Sequence, residues 1–312
     1  MSAPPSWIEV RVAVPLGWHE LAAEALALGP CTTVAMGATS IASEPPPEGH
    51  DFVRTFFLAA DDSPALRERV TSALGGLAEA TGMQELADLE LEFLPLPPED
   101  YATSWRKSWR PYRLRRGGRE LVLLPPWDER SRTPIPADSL RLVIEPGGAF
   151  GSGRHATTRT CCGVLLERIK GGERVLDAGS GSGILAVVAS LAGAGECLGF
   201  DTDPAAQPAA EHLAFDNRAQ SASFRTGDLS CVDPSEGPFD VLLANIYSDV
   251  IQAQAKNLAA RLAPDGWFAF SGCPIFHVEP TLAAIEAAGL RVREQRLRGR
   301  WMTFVGEPSG RG

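Results

Sequence analysis

Three groups of residues carry types and spacings that could do chemistry. The run Asp177-Ala178-Gly179-Ser180-Gly181-Ser182-Gly183 places a glycine at every second position, where a backbone can turn tightly and a ligand can approach with no Cβ in the way. A dinucleotide fingerprint needs a glycine at its sixth position, but counted from Gly179 that position is Ile184. A phosphate-cradling P-loop needs Gly-Lys-Ser/Thr after the glycines, and none follows. Asp201 stands 22 residues beyond Gly179, where a carboxylate can accept hydrogen bonds from both hydroxyls of a ribose. Asp203, next to Pro204, reads as a turn or helix-capping residue. Asn245 closes the run Leu242-Leu243-Ala244 and is followed by Ile246-Tyr247. Finally, the stretch from Glu145 to Thr158 combines several glycines with Phe150, His155 and the hydroxyls of Thr157 and Thr158, a flexible run able to cover a bound cofactor.

The surrounding pattern predicts how these residues are positioned. From Arg174 onward, strands at 175–178, 196–201, 223–225, 239–245 and 267–271 alternate with helices at 184–191, 204–215, 248–262 and 279–288, the signature of a doubly wound sheet. The glycine loop follows the first of these strands, Asp201 ends the second and Asn245 ends the fourth. Ligands in such sheets sit beyond the carboxyl ends of the strands. Segments 290–297 and 301–305, separated by Arg298-Gly299-Arg300, should pair as an antiparallel hairpin. Upstream, strands at 7–14, 31–36, 52–58 and 87–94 with helices at 20–28 and from Asp61 or Ser63 to about residue 80 follow the order of a split βαβ unit. A composition shift at Pro95-Leu96-Pro97-Pro98 then leads into a helix-like stretch with Tyr101, Trp105 and Trp109 on one face. Strands at 120–124 and 140–144 lead into the second domain. The expected organisation is an N-terminal α+β ferredoxin-like domain (1–95), a linker helix (96–112) and an α/β Rossmann-like domain (113–312).

Seven strands ending in a hairpin resemble the class I methyltransferase arrangement, and Asp-x-Gly-x-Gly-x-Gly resembles the first motif with which those enzymes bind S-adenosyl-L-methionine. The run Ala149-Phe150-Gly151-Ser152-Gly153-Arg154-His155-Ala156-Thr157-Thr158 is similar to the Ala-Phe-Gly-Thr-Gly-x-His-x-Thr-Thr signature of the PrmA family, the ribosomal protein L11 methyltransferases. Ser152 replaces the usual threonine, and Ala156 stands where proline is common. The resemblance extends through Trp105, Trp109, Pro126-Trp127, Ala244-Asn245-Ile246, Ser271-Gly272 and residues 301–306; the N-terminal part matches only as an architecture. It implies that Thr158, Gly179, Asp201 and Asn245 contact the cofactor, with Asp177, Gly181 and Gly183 completing the loop and Phe150 and His155 lining the site. Many amino-group methyltransferases carry Asn-Pro-Pro-Tyr where this chain has Asn-Ile-Tyr, so Asn245 is expected to orient an amine. Phe150 or Tyr247 would face the resulting cation. The resemblance further implies methylation of lysine side chains or the N-terminal amine of ribosomal protein L11, with the N-terminal domain binding that protein and no metal required. A different target protein and a noncatalytic cofactor-binding module are the alternatives.

Composition is consistent with this. The 312 residues carry 44% hydrophobic and 22% charged residues, ordinary values for a folded globular chain. The net charge of -10 disfavours direct nucleic-acid binding, which needs a basic surface, and suits a basic partner. The longest mostly apolar run, 183–195, is too short to cross a bilayer. Without a secretory start and with six scattered cysteines, the expectation is a cytoplasmic monomer with free thiols.

Overall fold

The computed structural model describes residues 6–26, 33–36, 46–96, 111–128, 135–145 and 153–310. The expected linker helix with Tyr101, Trp105 and Trp109, and residues 146–152 with Phe150 and Ser152, lie outside them. The chain divides near residue 110 into two compact units.

The first unit runs β1 (Trp7–Pro15), α1 (His19–Ala25), β2 (Thr33–Met36), β3 (His50–Leu58), α2 (Pro64–Thr81) and β4 (Leu91–Leu96). Its strands form an antiparallel sheet in the order β2-β3-β1-β4. Alternation along β1 buries Ile8, Val10, Val12 and Val14 on one face. On the other, Glu9 is buried against Arg54 of β3, with Nε and Oε1 3.1 Å apart. The α2 helix begins where the Leu66 amide donates to Ser63 Oγ, and it ends at Gly82 with φ +69°, a left-handed stop that glycine adopts freely. Val70, Leu74, Leu77 and Ala78 form its buried stripe. The strand expected from residue 87 starts only at Leu91, because the Ala87 amide donates to the Gln84 carbonyl and closes a 3-10 turn over Gln84–Leu86.

The second unit opens with β5 (Tyr112–Arg116), β6 (Arg119–Leu124) and β7 (Leu140–Val143), which form a three-stranded sheet of their own. The β5 strand is missing from the sequence expectation because Arg113, Arg115 and Arg116 obscure its alternation. Leu114 is nevertheless buried, and Arg115 pairs with Glu120 at 2.7 Å across the Gly117-Gly118 turn.

There follow α3 (Ala156–Arg168), β8 (Arg174–Ala178), α4 (Ile184–Leu191), β9 (Glu196–Asp201), α5 (Ala206–Asp216), β10 (Ala222–Thr226), β11 (Phe239–Asn245), α6 (Ser248–Ala259), β12 (Leu262–Pro274), α7 (Val278–Ala287), β13 (Leu290–Arg298) and β14 (Trp301–Pro308). The seven strands from β8 order as β10-β9-β8-β11-β12-β14-β13. All neighbours are parallel except β14, which runs antiparallel to both β12 and β13. The seven-stranded Rossmann-like sheet and its terminal hairpin are thus present as expected. Leu262 pairs with Phe239 as the first residue of β12, so α6 stops at Ala259 rather than reaching residue 262. One sheet face packs Val175, Val241 and Leu243 against α3, α4 and α5; the other packs Leu176, Leu242, Phe268 and Phe270 against α6 and α7. No helix among the described residues is long and apolar enough to cross a membrane.

The strand order reverses between β8 and β11. From β8 the chain winds outward to β9 and β10, then returns to place β11 on the opposite side of β8. Such a switch point leaves a crevice beyond the carboxyl ends of the two central strands, and Gly179, Asp201 and Asn245 fall there.

Candidate active site

The loop leaving β8 is held from below and open above. The Gly179 and Ser180 amides both donate to the Phe200 carbonyl at 2.9 Å, tying the loop to the end of β9. Gly179 has φ +69°, and a Cβ there would lie 2.2 Å from Ile246 Cγ2. Ile246 is pressed from its other side by Gly272, where a Cβ would lie 2.1 Å from the Ile246 carbonyl oxygen. These two positions therefore exclude larger residues on packing grounds. Gly181 (φ +50°) differs: a Cβ there would meet nothing within 4 Å, which leaves that part of the loop approachable.

Asp201 ends β9 facing this loop. Its Oδ2 accepts the Gly181 amide at 2.8 Å and its Oδ1 accepts the Asp203 amide at 2.9 Å. Each oxygen keeps a second lone pair, so the carboxylate is fixed in place yet still able to accept from a ligand. Asp203 accepts from the Ala205 amide at 2.9 Å, the turn duty its neighbourhood to Pro204 suggests.

Across the crevice, Asn245 ends β11 and its Nδ2 donates to Thr158 Oγ1 at 3.3 Å. Thr158 lies buried in the first turn of α3. Residues 87 positions apart thus meet, and the contact turns the Asn245 carboxamide oxygen away from Thr158. Tyr247 caps the start of α6 and is 56% exposed. His155 is the N-cap of α3: its Nδ1 lies 2.7 Å from Thr157 Oγ1 and its ring packs edge-on against Trp301, with centroids 5.1 Å apart. Burial pushes the imidazole down to about 4, so the ring is neutral at pH 7. Trp301 opens the segment 301–306, for which the sequence shows only a resemblance. Its packing on His155 depends on the β12–β14 register that sets it opposite Pro274, which no local pattern reveals.

Asp177 lies beneath the loop rather than on its open side. It is 1% exposed, and its Oδ2 accepts the Ala186 amide at 3.2 Å in the first turn of α4. That helix has Gly183 as its N-cap and so lacks a capping side chain of its own; Asp177 supplies one from the preceding strand. Burial pushes this carboxyl up to about 7.

The described residues therefore bring together a glycine loop with an open middle, an anchored acid at the next strand end, and a carboxamide set by a buried threonine. Comparison with known proteins places this arrangement. Residues 6–308 match the family model described as "Ribosomal protein L11 methyltransferase (PrmA)". A ribosomal protein L11 methyltransferase of Pelotomaculum thermopropionicum is 38% identical over 236 residues, covering 72% of this chain and 73% of its own. One from Syntrophotalea carbinolica is 33% identical over 307 residues, covering 95% and 96%. Among solved structures, a ribosomal protein L11 methylase from Lactobacillus delbrueckii subsp. bulgaricus is 28% identical with a TM-score of 0.53, covering 60% of this chain and 93% of its own. With the family model matching almost from end to end, the chain belongs to the ribosomal protein L11 methyltransferase (PrmA) family.

Proposed function

We propose that this protein transfers methyl groups from S-adenosylmethionine to amino groups of ribosomal protein L11, lysine side chains and the N-terminal amine being the acceptors. The reading is carried by the convergence of the glycine loop, Asp201 and the Asn245–Thr158 pair at the switch point between β8 and β11. In this reading Asp201 accepts the ribose hydroxyls, Gly181 lets the nucleoside approach the backbone, and Thr158 and Asn245 border the reacting end. The first unit binds the substrate protein.

The bound cofactor supplies an electrophilic methyl on a sulfonium, so the chain's own residues have only to align an amine and exclude water. A free lysine must first lose a proton, which at pH 7 costs about 4.6 kcal/mol. Desolvation near the buried ends of β11 and β12 lowers that cost, because it disfavours the charged form. With Nδ2 engaged by Thr158, the Asn245 oxygen accepts an N–H of the neutral amine and turns its lone pair toward the methyl. Phe150 and Tyr247 offer aromatic faces to the methylated cation. His155, being neutral, adds no positive charge that would repel the amine.

Incubating the full chain with ribosomal protein L11 and S-adenosylmethionine, then mapping the product by mass spectrometry, tests the reading. Methyl groups on lysine or N-terminal nitrogens are expected. An unmodified L11 alongside methylation of another ribosomal protein would overturn the substrate assignment.

A further inference from the structure

We propose that Asp177 releases a proton when the sulfonium form of the cofactor binds and takes one back when the thioether product remains, so that the loop tells the two apart by charge. This rests on the loop being the S-adenosylmethionine site. The two oxygens of Asp177 are unequally partnered. Asp177 Oδ2 accepts the Ala186 amide, but Oδ1, equally buried, has no hydrogen-bond partner among the described residues. Among the described residues, the groups that act on the carboxyl bring no cation. They are the Ala186 amide from α4 and the like charge of Asp201 from β9. Close enough to sense its charge are the thiols Cys161 and Cys162 from α3 and Cys197 from β9, all kept protonated by burial. A carboxyl so placed favours the neutral form until a positive charge arrives.

The geometry puts that charge within range. Asp177 is in register with Leu243 on the adjacent parallel strand, and Asn245 lies two residues further along it on the same sheet face. Strand spacing and rise then set the two Cα atoms about 8 Å apart. A sulfonium held beside Asn245, as the proposed function has it, would at about that distance shift a partly buried acid by roughly one pH unit or somewhat more, on the order of tenfold in binding. The proton goes to solvent when the sulfonium binds; on transfer the carbon–sulfur bond breaks, the carbon–nitrogen bond forms, and the positive charge leaves on the methylated amine. The carboxylate then recovers a proton from solvent, and the loop is left with a neutral thioether that it holds less well.

Isothermal titration of wild type and Asp177→Asn with S-adenosylmethionine and with S-adenosylhomocysteine, at about pH 6 and about pH 8.5 in buffers of differing ionisation enthalpy, tests this. Relative to Asp177→Asn, wild type should gain about tenfold in S-adenosylmethionine affinity between the two pH values and release a proton at the lower one. S-adenosylhomocysteine should show neither difference. Equal pH dependence in Asp177→Asn, or equal proton release with both ligands, overturns the proposal. If Asp177→Asn does not fold, the contrast between the two ligands on wild type decides. Failure of wild type to bind either ligand at any pH sinks instead the cofactor reading on which the proposal rests.

Discussion

Each unit of this protein buries a carboxylate in its sheet, and the two are treated in opposite ways. Glu9 of β1 is 3% exposed and has the guanidinium of Arg54 against it. Desolvation pushes its carboxyl up while Arg54 and Arg11 pull it back. Asp177 of β8 is 1% exposed and has a backbone amide for one oxygen, with another acid as the charged group nearby. The first arrangement keeps its counter-charge within the fold. The second leaves the counter-charge to be brought by something that binds, and it occurs under the loop where a cationic cofactor is expected.

Breaking the partnered side should have the largest effect. Arg54→Ala strands a buried carboxylate, and denaturant unfolding of the full chain should show a loss of about 3–5 kcal/mol in the stability of the first unit. Loss of S-adenosylmethionine affinity in the same variant would break the comparison, because it would make the two carboxylates parts of one system.

The unpartnered side predicts a slope of stability against pH. The Asp177 carboxyl stands at about 7 in the fold against an ordinary value of 3.8, so between those limits the folded chain holds the extra proton. Stability attributable to this group is therefore present below about pH 4 and is lost as pH rises to about 7, by an amount on the order of 4 kcal/mol. Thermal unfolding of wild type and Asp177→Asn across this range checks it. The variant should lack this component of the slope, and identical slopes would sink the claim that the charge is uncompensated.

Asp201 sharpens the contrast from a third direction, since two backbone amides hold its carboxylate ready at the surface of the crevice. Asp201→Ala should weaken S-adenosylmethionine binding about 10- to 100-fold by calorimetry, the range for hydrogen bonds to a charged acceptor. Unchanged affinity would remove Asp201 from the ribose.

The most legible elements were those with sharp local boundaries. The sequence limits of 184–191 and 196–201 are those of the fold, because glycines at 181, 183, 193 and 195 punctuate these runs. The arginine-rich β5 has no such local signal, since its strand character comes from pairing with β6. In the site, the glycine loop and Asp201 announce themselves by spacing along the chain. The meeting of Asn245 with Thr158, the packing of His155 on Trp301 and the burial of Asp177 arise from strand order and helix placement. Resemblance pointed to Thr158 and Asn245 separately, but no reading of single residues shows that they touch.

Ile246, wedged between Gly179 and Gly272, links the glycine loop to the turn that carries Asn245. For anyone redesigning this enzyme toward other acceptors, it works like a keystone. A bulkier residue at either glycine shifts the loop and the Asn245 turn together, so variant libraries aimed at acceptor preference should hold positions 179, 246 and 272 constant and draw their diversity from the exposed Tyr247 and Val250.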